Sequence, residues 1–237
     1  MRAHNIRIFC DFDGTIATED IGDKFFVTFA GENMWTDNAL YKEGNISGEE
    51  LYRRNAAKIS GITEEQVDRF CADRRIDPTF GEFAAWCEDS GHPLMILSDG
   101  FDIYIDRLLA RENLDLPKRC NTMRIVDGHV ELEFPHSYPD CECAANCKRN
   151  ALALNSADED YIVYIGDGYS DFCPAKYADM VFAKDALETH CQEQNITFRR
   201  FHSFTDVREG IESLAARNNL RHRNRAAQLR KQLWLGG

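Results

Sequence analysis

Two carboxylates one residue apart, Asp11 and Asp13, close the run IRIFCDFDGT. Ile6, Ile8 and Cys10 alternate with Arg7 and Phe9, and β-branched residues ending in a Gly turn read as a strand. The pair therefore sits at the carboxyl end of a strand, where open α/β sheets place their ligands. Side chains alternate along a strand, so the turn from Phe12 to Thr15 has to bend if both carboxylates are to face one site. Taken alone, Asp-x-Asp-Gly is also an ordinary turn. Three later pieces supply context: Ser98-Asp99-Gly100 after the apolar ILSDG run, Lys148 at a helix start, and Gly166-Asp167-Gly168 with Asp171 after YIVYIGDGYSD. A hydroxyl and backbone amides can grip phosphate oxygens without adding charge. Hard divalent ions take carboxylate and water oxygens.

In this order and spacing the four pieces resemble the four motifs of the haloacid-dehalogenase-like phosphatases, in the branch that contains the phosphoserine phosphatases, over nearly the whole chain. The resemblance implies a Mg²⁺-dependent phosphomonoester hydrolase working through an aspartyl phosphate. Asp11 would be the nucleophile, and Asp13 the general acid and base. Ser98, Asp99, Gly100 and Lys148 would hold the phosphate, with Lys148 also offsetting charge on Asp11. Asp11, Asp13 (through its carbonyl), Asp167 and Asp171 would form the metal site, Asp171 by orienting a bound water or the lysine. FPHSYPDCECAANCK and the stretch from VFAKDALETH to FHSFTDV look most like the methionine-salvage phosphatases that act on 2-hydroxy-3-keto-5-methylthiopentenyl 1-phosphate. Phosphoserine phosphatases carry a Glu soon after the nucleophile and a substrate-binding Arg. The matching positions here are Asp20 and Asn55, with Arg53 and Arg54 alongside, so these four are the candidate specificity residues. Phosphoserine, phosphocholine or phosphoethanolamine, and a non-enzymatic binding role on the same fold, are the alternatives.

The elements that must position these groups alternate strand and helix, the pattern of a doubly wound parallel sheet, or Rossmann-like α/β core. After the first strand a helix is expected through KFFVTFAG, stopped by Gly31. Ser47 with Glu50 and Thr63 with Gln66 have the spacing of capping boxes and predict two short helices. Residues 17–76 thus read as a helical insert, which in the resembled family is a cap over the active site. The core would comprise residues 1–16 and 77–220. Asp77-Pro78 reads as a helix start, with Phe80, Phe83, Ala84 and Cys87 as its apolar stripe. Asp127-Gly128 reads as a hairpin turn. Strands are expected at Pro93 to Leu97, Tyr161 to Ile165 and Met180 to Phe182. Helices are expected at Phe101 to Asn113, Phe172 to Tyr177, Asp185 to Gln194 and Thr205 to Leu220.

Residues 221–237 are basic, with Arg221, Arg223, Arg225, Arg230 and Lys231, and read as a solvated or oligomer-contacting helix or tail that Trp234 packs back. The net charge of -12 over 237 residues disfavours nucleic-acid partners. A bound cation and a local lysine would overcome that charge for an anionic substrate. No run approaches the ~18 apolar residues of a membrane span, and no export signal is evident. With nine cysteines, an odd number, the expectation is a cytoplasmic protein with free thiols, with a small phosphorylated metabolite as its partner and a homodimer as the candidate assembly. Cys141, Cys143 and Cys147, with His136, are close enough in sequence to hold a structural Zn²⁺, but the spacing is not that of paired CxxC ligands.

Overall fold

The computed structural model describes residues 5–235 apart from 33, 139–140, 142–143 and 217–219. Its centre is a seven-stranded sheet, built from β1 (Asn5–Cys10), β2 (Leu94–Phe101), β3 (Lys118–Val126), β4 (His129–Glu133), β5 (Asp160–Gly166), β6 (Met180–Ala183) and β7 (Phe198–Arg200). The spatial order is β4-β3-β2-β1-β5-β6-β7. All neighbours run parallel except the β3–β4 hairpin. Asp127 and Gly128 turn that hairpin with φ of 50° and 78°, the left-handed pair that a two-residue turn needs.

β1 lies between β2 and β5, and the chain winds outward from it first one way and then the other. The crevice at the strand carboxyl ends beside β1 is therefore the switch point at which such sheets bind ligands. Ile6, Ile8 and Cys10 pack on one face with Val163 and Ile165 of β5. Phe9, Ile162 and Tyr164 pack on the other. Helices cover both faces, among them α5 (Phe80–Asp89), α6 (Asp102–Arg111) and α10 (Phe204–Ala215) on the first, and α7 (Lys148–Leu154) and α9 (Asp185–Glu193) on the second.

Between β1 and α5 the chain forms α1 (Ile21–Ala30), α2 (Met34–Lys42), α3 (Gly48–Ala56) and α4 (Glu64–Ala72). The two ends of this helical insert are tied: Ala17 bridges Ile76, and the Asp77 amide donates to the Ile16 carbonyl at 2.8 Å. Gly31 stops α1 at φ 86°. Thr63 and Gln66 form a full capping box. Ser47 caps α3, but the Glu50 carboxylate bonds Arg54 instead of returning to the cap, so only half of that box exists. α2 has no counterpart in the expected elements. Its buried residues are Met34 and Asn38, too few apolar ones to mark a stripe.

Three boundaries differ from expectation. α5 begins at Phe80, because Asp77 uses its carboxylate on the Thr79 amide and hydroxyl in a separate turn. β2 runs on through Ser98, Asp99 and Gly100, with an irregular register against β3. α10 ends at Ala215, before Leu220. The short edge strand β7 was not expected either. The basic segment folds as α11 (Asn224–Leu235), and it is not simply solvated. Arg230 is buried and pairs with Asp179 at 3.2 Å, while the Trp234 indole donates to the Ala153 carbonyl. Among the described residues no helix is long and apolar enough to cross a membrane.

Candidate active site

The turn Phe12–Ile16 does the bending that the Asp pair requires. The Ala17 amide returns to the Phe12 carbonyl, and Gly14 takes φ 69° where a Cβ would collide with the Asp167 carboxylate. Asp11 then faces inward and Asp13 faces the insert. Oδ1 of Asp11 accepts from the Phe12 amide at 2.7 Å and lies 2.7 Å from the Lys148 ammonium. Lys148 is buried at the first turn of α7 and also contacts Asp171 at 2.8 Å and the Ser170 hydroxyl at 2.8 Å. Burial acts to lower its pKa, but Asp11 and Asp171 outweigh that and hold the ammonium above its usual range. Among the described residues it is Lys148, and neither Lys176 nor Lys184, that pairs with Asp11 and Asp171.

Asp11, Asp167 and Asp171 converge, with ligand oxygens all within 4.8 Å of one another. Asp171 is already committed. Its Oδ1 accepts from Lys148 and Tyr164, its Oδ2 from the Asp167 and Gly168 amides. It therefore orients the lysine and the β5 loop, and Asp11 and Asp167 are the carboxylates left to meet a cation. Burial and the charge of Asp171 raise Asp167 to about 7, against a hydrogen bond from Thr15. Burial and Asp171 also raise Asp11, while Lys148 pulls it back. A hard divalent ion fits this donor set, because it would compensate the surplus of buried carboxylate that one lysine does not.

Asp13 bridges core and insert. Its Oδ1 accepts from the Ile21 and Gly22 amides at the start of α1. Its Oδ2 accepts from the Tyr104 hydroxyl at 3.1 Å and the Ser98 hydroxyl at 3.3 Å. Burial raises its pKa against these donors, which favours a carboxyl able to carry a proton. Ser98 is buried, and its Oγ also accepts from the Gly100 amide at 2.9 Å. Asp99 turns its side chain away from the strand, accepting from the Asn146 amide at 2.7 Å and from Tyr52 of α3 at 3.3 Å. Burial lifts Asp99 to about 7.

A cavity of about 240 Å³ opens over Asp11, Asp13, Asp99, Gly100 and Asp167, and is closed from above by residues of α1, α2 and α3. Asp20 and Asn55 line it. Arg53 and Arg54 do not: Arg53 lies over the Phe134 ring and Arg54 pairs with Glu50 and Asp37. Helix periodicity explains this, since Asn55 and Leu51 share the inward face of α3 and the two arginines point elsewhere. The residues that sequence reading missed are Thr15, Tyr52, Tyr104, Asn146 and Tyr164, all holding a carboxylate or a loop of the site. Thr15, Asn146 and Tyr164 lay within the quoted stretches but with no role read for them, while Tyr52 and Tyr104 lay outside and are remote in sequence from the carboxylates they hold.

The cysteine cluster is partly outside the described residues, because Cys143 lies there. Cys147 is buried with its thiol hydrogen-bonded to that of Cys141, and among the described residues the cysteines form no disulfide. Among the described residues the only cluster of three metal-ligating groups is the aspartate one.

Comparison with known proteins agrees with this geometry. Residues 8–176 match the model of the haloacid dehalogenase-like hydrolase family. The chain is similar to the 2-hydroxy-3-keto-5-methylthiopentenyl-1-phosphate phosphatases of Bacillus velezensis, at 30% identity over 87% of this chain and 90% of the relative. It is similar also to that of Geobacillus kaustophilus, at 31% over 87% and 96%. In fold it is similar to a probable phosphoserine phosphatase from Vibrio cholerae, with TM-score 0.67 and 21% identity, covering 93% of this chain and 68% of that one. A family match over most of the chain, with an aspartate cluster and a buried lysine at the switch point of the sheet, makes this chain a member of the haloacid dehalogenase-like hydrolases.

Proposed function

We propose that the protein is a Mg²⁺-dependent phosphatase of small phosphorylated metabolites. The observation that carries this is the buried Lys148 ammonium held between Asp11 and Asp171, 2.7 and 2.8 Å away, beneath a cavity lined by Asp13, Asp99 and Asp167. Asp11 attacks phosphorus, forming a carboxyl oxygen–phosphorus bond as the ester oxygen departs with a proton from Asp13. Asp13, then a carboxylate, takes a proton from the water that attacks the phosphoaspartate, and inorganic phosphate and free Asp11 are released. Ser98 and the Asp99 amide grip the peripheral phosphate oxygens, and the Gly100 amide, which donates to Ser98 Oγ, holds that hydroxyl in place. Lys148 offsets charge on Asp11 and on the phosphoryl group. Asp11, Asp167 and the Asp13 carbonyl would hold the ion, which when bound neutralises phosphoryl charge and aligns it.

We assign residues 17–76 the part of a cap, with Asp20 and Asn55 facing the leaving group. The favoured substrate is a neutral hydroxy-keto ester of the kind named for the Bacillus and Geobacillus relatives. No arginine lines the cavity among the described residues, which counts against phosphoserine and its carboxylate. Asp20, Asp23 and Asp99 in the same lining support a second reading, a cationic leaving group such as ethanolamine. Described cysteines that form no disulfide among themselves support a reducing, cytoplasmic location. A hydrolysis screen over phosphomonoesters with and without Mg²⁺ tests the reading, together with Asp167→Ala. The expected outcome is turnover that needs Mg²⁺ and a variant weaker in both rate and metal affinity. Full activity in excess EDTA would contradict it.

A further inference from the structure

The cap side of the cavity holds a polar group with no structural use. Asn38 sits mid-way along α2, four residues from Met34, so the two share a face, and both line the cavity. Asn38 is 8% exposed. Its Nδ2 donates to Asp23 Oδ1 at 3.3 Å, while its Oδ1 is buried with no hydrogen-bond partner. The amide orientation is fixed by that one bond: turned over, it would set the carbonyl against a carboxylate oxygen. Stapling α1 to α2 through Asp23 accounts for the nitrogen and leaves the oxygen unexplained. A buried carbonyl left unpaired destabilises the fold, and a leucine would fill the same volume without that cost.

We infer that Asn38 and Asp23 form a hydrogen-bond-accepting subsite that selects phosphate esters with a hydroxyl on the leaving group. Asp23 fixes the amide, and the Asn38 carbonyl takes the ligand's proton. The inference rests on the phosphatase reading and adds what its cap recognises. The surroundings agree in sign. Asp20 and Asp23 also line the cavity with carboxylates, and Lys42 is the only lysine or arginine among its described lining residues. Lys42 is also the cation that acts on Asp23, so it is turned toward a carboxylate the cap already owns. At the Asn38 carbonyl the leaving group thus meets an acceptor and has to supply the donor. A site built to pair a hydroxyl rejects the analogue that lacks it, because its own polar group is then left buried and unpaired.

The test uses the Mg²⁺-loaded enzyme and three esters that differ at one position: dihydroxyacetone phosphate, its methyl ether, and acetol phosphate, which has hydrogen in place of the hydroxyl. kcat/KM for dihydroxyacetone phosphate should exceed that for acetol phosphate at least about tenfold. The methyl ether, which cannot donate, should fall with acetol phosphate. In Asn38→Leu, checked for folding by its melting transition, the ratio should drop to within about twofold of one. The comparison of esters on wild type stands even if that variant does not fold. Equal kcat/KM for the three esters in wild type, a methyl ether as good as the alcohol, or an unchanged ratio in folded Asn38→Leu would each overturn the subsite. Hydrolysis of p-nitrophenyl phosphate with none of the three esters hydrolysed would also overturn it and leave the phosphatase reading standing. No hydrolysis of any ester would overturn both.

Discussion

Asp99 shows how one side chain sets a working range. It is a carboxyl next to the proposed phosphate grip, raised to about 7 first by burial, against hydrogen bonds from Asn146, Asn121 and Tyr52. Its folded pKa lies above the unfolded value, so the folded state holds the extra proton. Its contribution to stability is therefore full at low pH and is lost as pH rises from about 4 toward about 7. The same titration bears on binding, because an ionised Asp99 repels a phosphate dianion and a protonated one does not. KM for a phosphate ester should rise as pH passes about 7, and in Asp99→Asn the profile should flatten there. A variant profile that follows wild type through that range would remove Asp99 from the grip. The residue types at this site could be read in the sequence, since strand-end carboxylates, a hydroxyl and a lysine are what phosphoryl chemistry uses. Their commitments could not. Nothing in YIVYIGDGYSD says that Asp171 spends four acceptor contacts on Lys148, Tyr164 and two amides, since those partners meet only in the folded sheet.

Among the elements, β2 carries the tightest requirement. Gly100 lies where a Cβ would overlap the Tyr104 hydroxyl and Asp13 Oδ2, so the strand end, α6 and the catalytic pair close on one another at a single point. Gly100→Ala should push Asp13 off its Tyr104 and Ser98 donors. The expected result is a fall in kcat of roughly a hundredfold on alkyl esters, whose leaving group needs a proton, and a smaller fall on p-nitrophenyl phosphate. Equal losses on both would argue that the glycine serves only folding. Gly100 appeared in the sequence as a turn residue, because apolar-then-Gly is how a strand end looks, and β2 instead continues to Phe101. Helices were legible where a cap or stripe marks them, as with Thr63 and Gln66 at α4 or Phe80 to Cys87 in α5. α2 was not, because it buries one apolar and one polar residue, and β7 was not, because three residues at a sheet edge leave no alternating pattern.

At the scale of the molecule, the C-terminal helix is bound into the core by charge. Asp179, after α8 (Phe172–Ala175), accepts from the Ile162 and Arg223 amides, from Arg230, and faces His222 at 3.1 Å. Arg230 also donates to the Tyr177 carbonyl. Removing one partner of a buried pair leaves the other uncompensated, so Arg230→Met should cost about 3–5 kcal/mol and lower Tm by roughly 10 °C. Because Trp234 reaches Ala153 at the end of α7, the helix that begins with Lys148, the variant should lose activity at temperatures below its own melting. A Tm unchanged in that variant would show that α11 is only laid on the surface. Basic composition alone suggested a solvated tail, since the acidic partner lies about fifty residues earlier in the chain.

The proposed mechanism depends on Asp11 carrying the phosphoryl group. The direct measurement is acid quench of the Mg²⁺-loaded enzyme during turnover, borohydride reduction of the trapped acyl phosphate, and mass analysis of the peptide that contains residue 11. Reduction converts a phosphorylated aspartate to homoserine. The expected result is homoserine at position 11 and at no other aspartate, and none in Asp11→Asn. Homoserine at another position, or steady turnover with no trapped intermediate and an active Asp11→Asn, would contradict it.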